Sequence, residues 1–124
     1  MPEASFPVEM VSGAAVVTTP EEIDISNAAR LRAALLEAAT HQPGVLVIDM
    51  TQTEFCDSAG LNVLVRAHQR ARDNGSELRL AISGAAVLRI FAVTGLDRTI
   101  PTFPSRSEAL APTPDITIPT PPAS

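Results

Sequence analysis

A serine set between an aspartate and two small residues, Asp57-Ser58-Ala59-Gly60, is where side-chain chemistry could gather in this chain. It follows the apolar run Val45-Leu46-Val47-Ile48 and the polar stretch Asp49-Met50-Thr51-Gln52-Thr53-Glu54-Phe55-Cys56. Nucleophilic catalysis by Ser58 would need a base within hydrogen-bond reach, usually a histidine. The chain has two histidines. His68 lies ten residues further along the same predicted helix, so about 15 Å from Ser58. His41 falls at the far end of an earlier helix, a favourable place for a histidine but one remote from Ser58. The surroundings of Ser58 are not Gly-x-Ser-x-Gly either. A triad is therefore not expected, and neither is a metal site. Cys56 leaves two readings open. A thiol near a helix N-terminus can be acidified and act as a redox sensor, or it can be a small core residue.

Ser58 has another possible role. At the start of a helix its hydroxyl is near unpaired backbone N–H groups and the positive end of the helix dipole. An anion is tolerated there. The plain alternative is that Asp57 and Ser58 only cap a helix. Gly60 inside that helix costs about 1 kcal/mol against alanine, which points to a reason other than helix stability. Small residues at 59 and 60 would let a partner approach closely.

These residues need a scaffold, and the pattern supplies one. Residues 8–12 and 14–19 read as two strands joined at Gly13. Residues 21–24, after Pro20, read as a loop. Ser26 or Asn27 caps a first helix whose apolar face is Ala28, Leu31, Leu35 and Ala38. Gln42-Pro43-Gly44 ends it. Residues 45–48 form a continuous apolar run suited to a central strand covered on both faces. A second helix is predicted over 58–73, closed by Asn74-Gly75. A strand over 78–82, a helix over 85–94 ending at Gly95, and a short strand over 99–103 follow. Ser105-Arg106-Ser107-Glu108 is a capping box opening a last helix that Pro112 cuts off. The order ββαβαβαβα implies an α/β domain. Its expected form is a mixed, mainly parallel sheet of four to five strands with about four helices chiefly on one face.

Composition narrows the function. The chain has 124 residues, 45% of them hydrophobic, enough for one core but not two. Nine cations stand against 14 acids, for a net charge of −5, and aromatics are 3%. Neither a phosphate-backbone binder nor a stacking platform for single strands fits this balance. All the cations are arginine, so lysine chemistry is excluded. A single cysteine excludes an internal disulfide and a multi-cysteine metal site. No apolar run reaches the roughly 20 residues of a membrane span, and no leader pattern opens the chain. The expectation is a cytoplasmic domain over residues 8–111, with a loose segment 1–7. Five of the 11 prolines fall in 112–124, which reads as an extended tail.

The stretch from Asp49 to Leu61, continued by Asn62-Val63-Leu64, resembles the signature of STAS domains of the anti-sigma-factor antagonist type. Glu22-Ile23-Asp24-Ile25 is similar to the acidic loop before that family's first helix. Thr94-Gly95-Leu96-Asp97-Arg98, Phe103-Pro104-Ser105 and Glu108-Ala109-Leu110 resemble its C-terminal pattern. The resemblance implies a partner-switching protein rather than an enzyme, with no cofactor and no metal. It implies that Ser58 is phosphorylated by an anti-sigma factor that is also a serine kinase of the histidine-kinase-like ATPase type. A phosphatase reverses the step, and the unphosphorylated form binds the kinase and frees a sigma factor. Glu22, Asp24, Asp57, Ser58, Ala59, Gly60 and Asn62 are the implied partner-binding residues. No nucleic acid and no membrane are implied as partners. A STAS adaptor or small-ligand module without phosphorylation is the alternative. Two features depart from the family pattern: Glu21 stands behind Pro20 where glycine is usual, and the last helix is short.

Overall fold

The computed structural model describes residues 6–112. In chain order the elements are β1 (Val8–Val11), β2 (Ala14–Thr18), β3 (Glu22–Ile23), α1 (Ala28–Ala39), β4 (Val45–Asp49) and β5 (Phe55–Cys56). They continue with α2 (Ser58–Asp73), β6 (Glu77–Ala81), α3 (Ala85–Thr94), a 3-10 turn (Leu96–Arg98), β7 (Thr102–Phe103) and α4 (Arg106–Leu110). The main sheet has five strands in the order β1-β2-β4-β6-β7. Only the β1–β2 hairpin is antiparallel. Its turn, Ser12-Gly13, has φ of 51° and 86°. Two positive φ values in a row match the twist a two-residue hairpin needs, so Ser12 leaves the predicted strand for the turn.

The central strand β4 is continuously apolar because both of its faces are covered. Leu46 and Ile48 share one core with Ala15, Val17, Leu78, Leu80 and the buried faces of α1, α2 and α3. Val47 lies on the opposite face with Val16, Ala81 and Ala109 of α4. Three helices thus pack on one side and the five-residue α4 on the other. Helix α1 buries Ala28, Leu31, Ala34, Leu35 and Ala38, and α2 buries Val63, Leu64, Ala67 and Ala71 at the same helical spacing.

A helix of five residues cannot hold itself, and α4 is held at both ends. The Ser105 hydroxyl accepts from Glu108 N at 3.1 Å. At the other end buried Arg79 of β6 donates to the carbonyls of Ala109 (2.9 Å) and Ala111 (2.8 Å). A cation on the last carbonyls complements the helix dipole. Arg79 also pairs with Glu77 at 3.1 Å and lies 5.6 Å from the centre of the Phe103 ring.

Two expectations are corrected here. Residues 21–24, read as a loop, and the end of the polar stretch 49–56 each carry a short strand: β3 and β5 pair in parallel, Glu22 with Phe55 and Ile23 with Cys56. Of the segment 1–7 expected to be loose, the two described residues, Phe6 and Pro7, are held in the fold. Phe6 is buried in the core, and the Pro7 carbonyl accepts from Thr18 N at 3.0 Å. Residues 1–5 and 113–124, the latter nearly all of the expected tail, lie outside the described residues.

His68 sits on the buried face of α2, and its Nδ1 has no hydrogen-bond partner among the described residues. Burial, and then the nearby Arg72, hold its pKa below the ordinary 6.5. The folded state therefore binds fewer protons at this site than the unfolded chain does. Its effect on stability is nil well above pH 6.5 and grows unfavourable as pH falls toward the lowered folded pKa. We expect His68→Leu to lose less stability than the parent between pH 7.5 and pH 5.5 in urea titrations. Equal losses in the two proteins would mean that His68 charges freely in the fold.

Candidate functional site

Two short strands position the serine. The parallel pair of β3 and β5 brings the segment before α1 against the segment before α2. Two buried threonines tie the loops behind them. Thr19 and Thr53 share a hydrogen bond at 2.6 Å, and Thr53 donates to the Pro20 carbonyl at 2.6 Å. Asp49 closes the end of β4 by accepting from Thr51 N (3.1 Å) and its hydroxyl (2.7 Å).

Asp57 is the N-cap of α2, and both oxygens of its carboxylate accept hydrogen bonds. Oδ1 accepts from Ala59 N at 2.9 Å and Gly60 N at 3.1 Å. Oδ2 accepts from Ile25 N at 3.2 Å, while Asp57 N donates to the Ile23 carbonyl at 3.0 Å. Capping and loop fixation are thus one carboxylate. The expectation of unpaired N–H groups beside Ser58 is accordingly corrected, because Asp57 already occupies those of residues 59 and 60.

Ser58 itself is exposed at the first position of α2, and its hydroxyl has no partner among the described residues. The fold brings several of the sequence-chosen residues to the same end. Glu22 and Asn62 are exposed, with Asn62 one helical turn from Ser58. Asp24 is half-buried, and its carboxylate accepts from the Ser26 hydroxyl and backbone N–H. Those bonds hold its pKa below the usual carboxylate value. Ala59 is half-buried against the core.

Gly60 is placed differently from the expectation that it gives a partner room. It is buried, and a Cβ on it would stand 2.6 Å from Ile23 Cγ2 and 2.8 Å from Cys56 Sγ. The close approach is internal: Gly60 lets β3 and β5 lie directly on the first turn of α2. Cys56, beneath it, is a core residue. Burial, and then the Asp57 charge, push its thiol up to about 12, the reverse of an acidified sensor.

Asn27 also departs from expectation. It occupies the N-cap of α1 but makes no capping bond. Buried instead, it donates to the Glu22 carbonyl and accepts from Asp24 N, both at 2.9 Å. Sequence reasoning missed two further residues. Ile25, 82% exposed, and Phe55, 47% exposed, stand in the segments that flank Asp57 and Ser58. Large apolar residues inside a polar, acidic loop were the available signal.

A family model described as the STAS domain matches residues 5–109. The chain belongs to the STAS domain family. Relatives of this STAS chain include the anti-sigma-F factor antagonist RsfB of Mycobacterium tuberculosis, 32% identical over 101 residues and 80% of each chain. The anti-sigma-B factor antagonist of Listeria monocytogenes is 37% identical over 79 residues, 64% of this chain and 69% of that one. A crystal structure of an anti-sigma factor antagonist from Mycobacterium paratuberculosis superposes with a TM-score of 0.80 at 31% identity. That superposition covers 87% of this chain and 92% of the other. In this STAS domain the mixed five-stranded sheet and the helix order are those the sequence implied. Among the described residues, no helix is long and apolar enough to cross a membrane.

The Asp57 clamp gives a test of the site's construction. Asp57→Asn keeps an oxygen for Ala59 N and Gly60 N but puts an NH2 group where Ile25 N needs an acceptor. Asp57→Ala loses both functions. We expect the alanine variant to lose about 1–2 kcal/mol in denaturant titration and the asparagine variant well under half of that. Faster amide exchange at Ile25 is expected in both. Unchanged exchange at Ile25 in Asp57→Asn would show that the second carboxylate oxygen does not hold the loop.

Proposed function

We propose that this STAS protein is an anti-sigma factor antagonist that works by partner switching at Ser58. The unphosphorylated form binds an anti-sigma serine kinase of the histidine-kinase-like ATPase type and so frees a sigma factor. Phosphate on Ser58 blocks that binding, and a phosphatase removes it. The observation that carries the reading is the exposed Ser58 hydroxyl at the start of α2, without a partner among the described residues, on a base fixed by Asp57 and Asn27. The names of the relatives support an anti-sigma factor as the partner.

Chemistry and surface agree with a docking role. Among the described residues no side chain is hydrogen-bonded to the Ser58 hydroxyl, and in this reading the serine serves as a substrate for another protein's active site. Ile25 and Phe55 give apolar area at the docking end, and Glu22 and Asp24 give it negative charge. A kinase surface with basic residues around an apolar depression would match both. Phosphate adds about −1.5 to −2 charges and need not disturb the fold at an exposed helix start.

The test is reconstitution. The protein is incubated with an anti-sigma kinase and ATP, and the phosphate is mapped by mass spectrometry. Phosphate on Ser58, with none in Ser58→Ala, supports the reading. Phosphate on Ser26, Ser83 or Ser105 and never on Ser58 overturns it. So does a kinase–sigma complex that the unphosphorylated protein fails to dissociate.

A further inference from the structure

Helix α3 is apolar on nearly every side, yet only one side of it is buried. Val87 and Phe91 enter the core. Outward stand Ala85, Ala86, Leu88, Ala92 and Val93, with Leu88 40% and Val93 80% exposed. Exposed Thr94 turns its hydroxyl back to the carbonyls of Ile90 and Phe91. The one outward charge is Arg89, which has no ion pair among the described residues. A surface helix ordinarily sets polar and charged residues on its outer face, and one that is apolar all round is ordinarily buried. Helices α1 and α2 follow that rule, with Arg32 and Glu37 outward on the first and Asn62, Arg66, Gln69 and Arg72 outward on the second. Helix α3 does not.

Its start is tied to the Ser58 end. Ser83 donates to the Thr51 carbonyl at 3.1 Å, and a Cβ on Gly84 would stand 3.0 Å from the Thr53 carbonyl. Helix α3 also packs against β5, the strand that carries exposed Phe55. We infer that the outer face of α3 is a second part of the docking surface for the anti-sigma kinase, which meets it with an apolar surface holding one carboxylate for Arg89. The inference rests on the reading of the Ser58 end as the docking end. A stable interface takes about 800 Å² from each partner, a patch roughly 30 Å across. A pair of two-residue strands and one helical turn supply only part of that area. Helix α3, about 15 Å long and starting beside them, extends it.

Charge decides against a second copy of this chain as the occupant. Helical spacing puts Arg89 midway along α3 and at the centre of its outer face, between Leu88 and Ala92 on one flank and Ala86 and Val93 on the other. Two copies packed on this face about a two-fold axis would bring their Arg89 guanidiniums together, and α3 contains no acid to separate them. A carboxylate from a different protein pairs with the arginine fork in two parallel bonds. With Glu22 and Asp24 at the Ser58 end, the docking surface then carries both signs of charge at separate places, which fixes the orientation of the partner.

The experiment uses the full chain and the anti-sigma kinase that phosphorylates Ser58 in the reconstitution above. The double variant Leu88→Gln/Val93→Gln should bind that kinase about tenfold more weakly. Its KM for Ser58 phosphorylation should rise about tenfold with kcat unchanged, because contacts remote from the reacting hydroxyl hold ground and transition states alike. Arg89→Glu should weaken binding about tenfold or more, and Arg89→Lys much less. All these positions are exposed, so the urea midpoints should stay at the parent value. Normal binding by the α3 variants beside weakened binding by Ser58→Glu overturns this inference alone. Normal binding by Ser58→Glu as well removes the docking reading and this inference with it. A fall in kcat with KM unchanged also overturns it. So does self-association of the parent, in sedimentation equilibrium, that Leu88→Gln/Val93→Gln abolishes, since the face would then belong to a second copy.

Discussion

Ser58→Glu is expected to bind the anti-sigma kinase at least tenfold more weakly than the parent, about 1.4 kcal/mol or more, with an unchanged circular dichroism spectrum. The reason lies in what Asp57 already does. Its carboxylate holds the N–H groups of Ala59, Gly60 and Ile25, so the first turn of α2 offers little unspent donor capacity to a new anion. Added charge at residue 58 stays on the surface, beside one carboxylate and near the acidic Glu22–Asp24 segment. In water this repulsion is small. It grows several-fold once a partner excludes solvent, because the effective dielectric falls. The fold is spared and the interface is not. Authentic phospho-Ser58 carries more charge than glutamate and should weaken binding further. Phosphoprotein that binds as tightly as the unmodified form would show that this face is not where the kinase docks.

The parts of this site were legible in the sequence to different degrees, for physical reasons. Helices α2 and α3 have the predicted bounds because apolar spacing and end signals agree: Asp57 and Asn74-Gly75 for α2, Gly95 with φ of 79° for α3. The central strand was legible because a run covered on both faces must be apolar throughout. β3 and β5 were not. Two-residue strands show no alternation, and their pairing is a contact between segments more than 30 residues apart. Asn27 was visible as a cap and invisible as a loop lock, since its amide serves Glu22 and Asp24 only after β3 is in place. Arg79 lies inside the predicted strand 78–82 and drew no reading of its own. Only the fold shows that the face it points to is covered by α4, whose carbonyls it holds.

Gly60 shows the same limit most sharply, and it leads to the largest stability effect expected here. A glycine in the first turn of a helix could have served an outside partner or an inside neighbour, and composition does not separate the two. The structure does, with Ile23 and Cys56 both closer to an added Cβ than real side chains approach. Both neighbours are buried and anchored in strands, so neither can swing away as the end of a flexible side chain would. Gly60→Ala gains up to about 1 kcal/mol of helix propensity but must displace β3 or β5, an overpacking cost of about 1–3 kcal/mol. Gly60→Val adds two more methyl groups to that contact and forfeits most of the propensity gain. We expect it to lose about 3 kcal/mol, a fall in melting temperature of roughly 10 °C or more for a domain this size. The damage should be local as well as global. The Ile25 amide should lose exchange protection, and kinase binding should weaken even though no surface residue has changed. Relief by shrinking the neighbours, in Gly60→Ala combined with Ile23→Val, would place the strain at this contact. A Gly60→Val protein as stable as the parent would mean that β3 and β5 do not rest on α2, and that the serine's platform is built some other way.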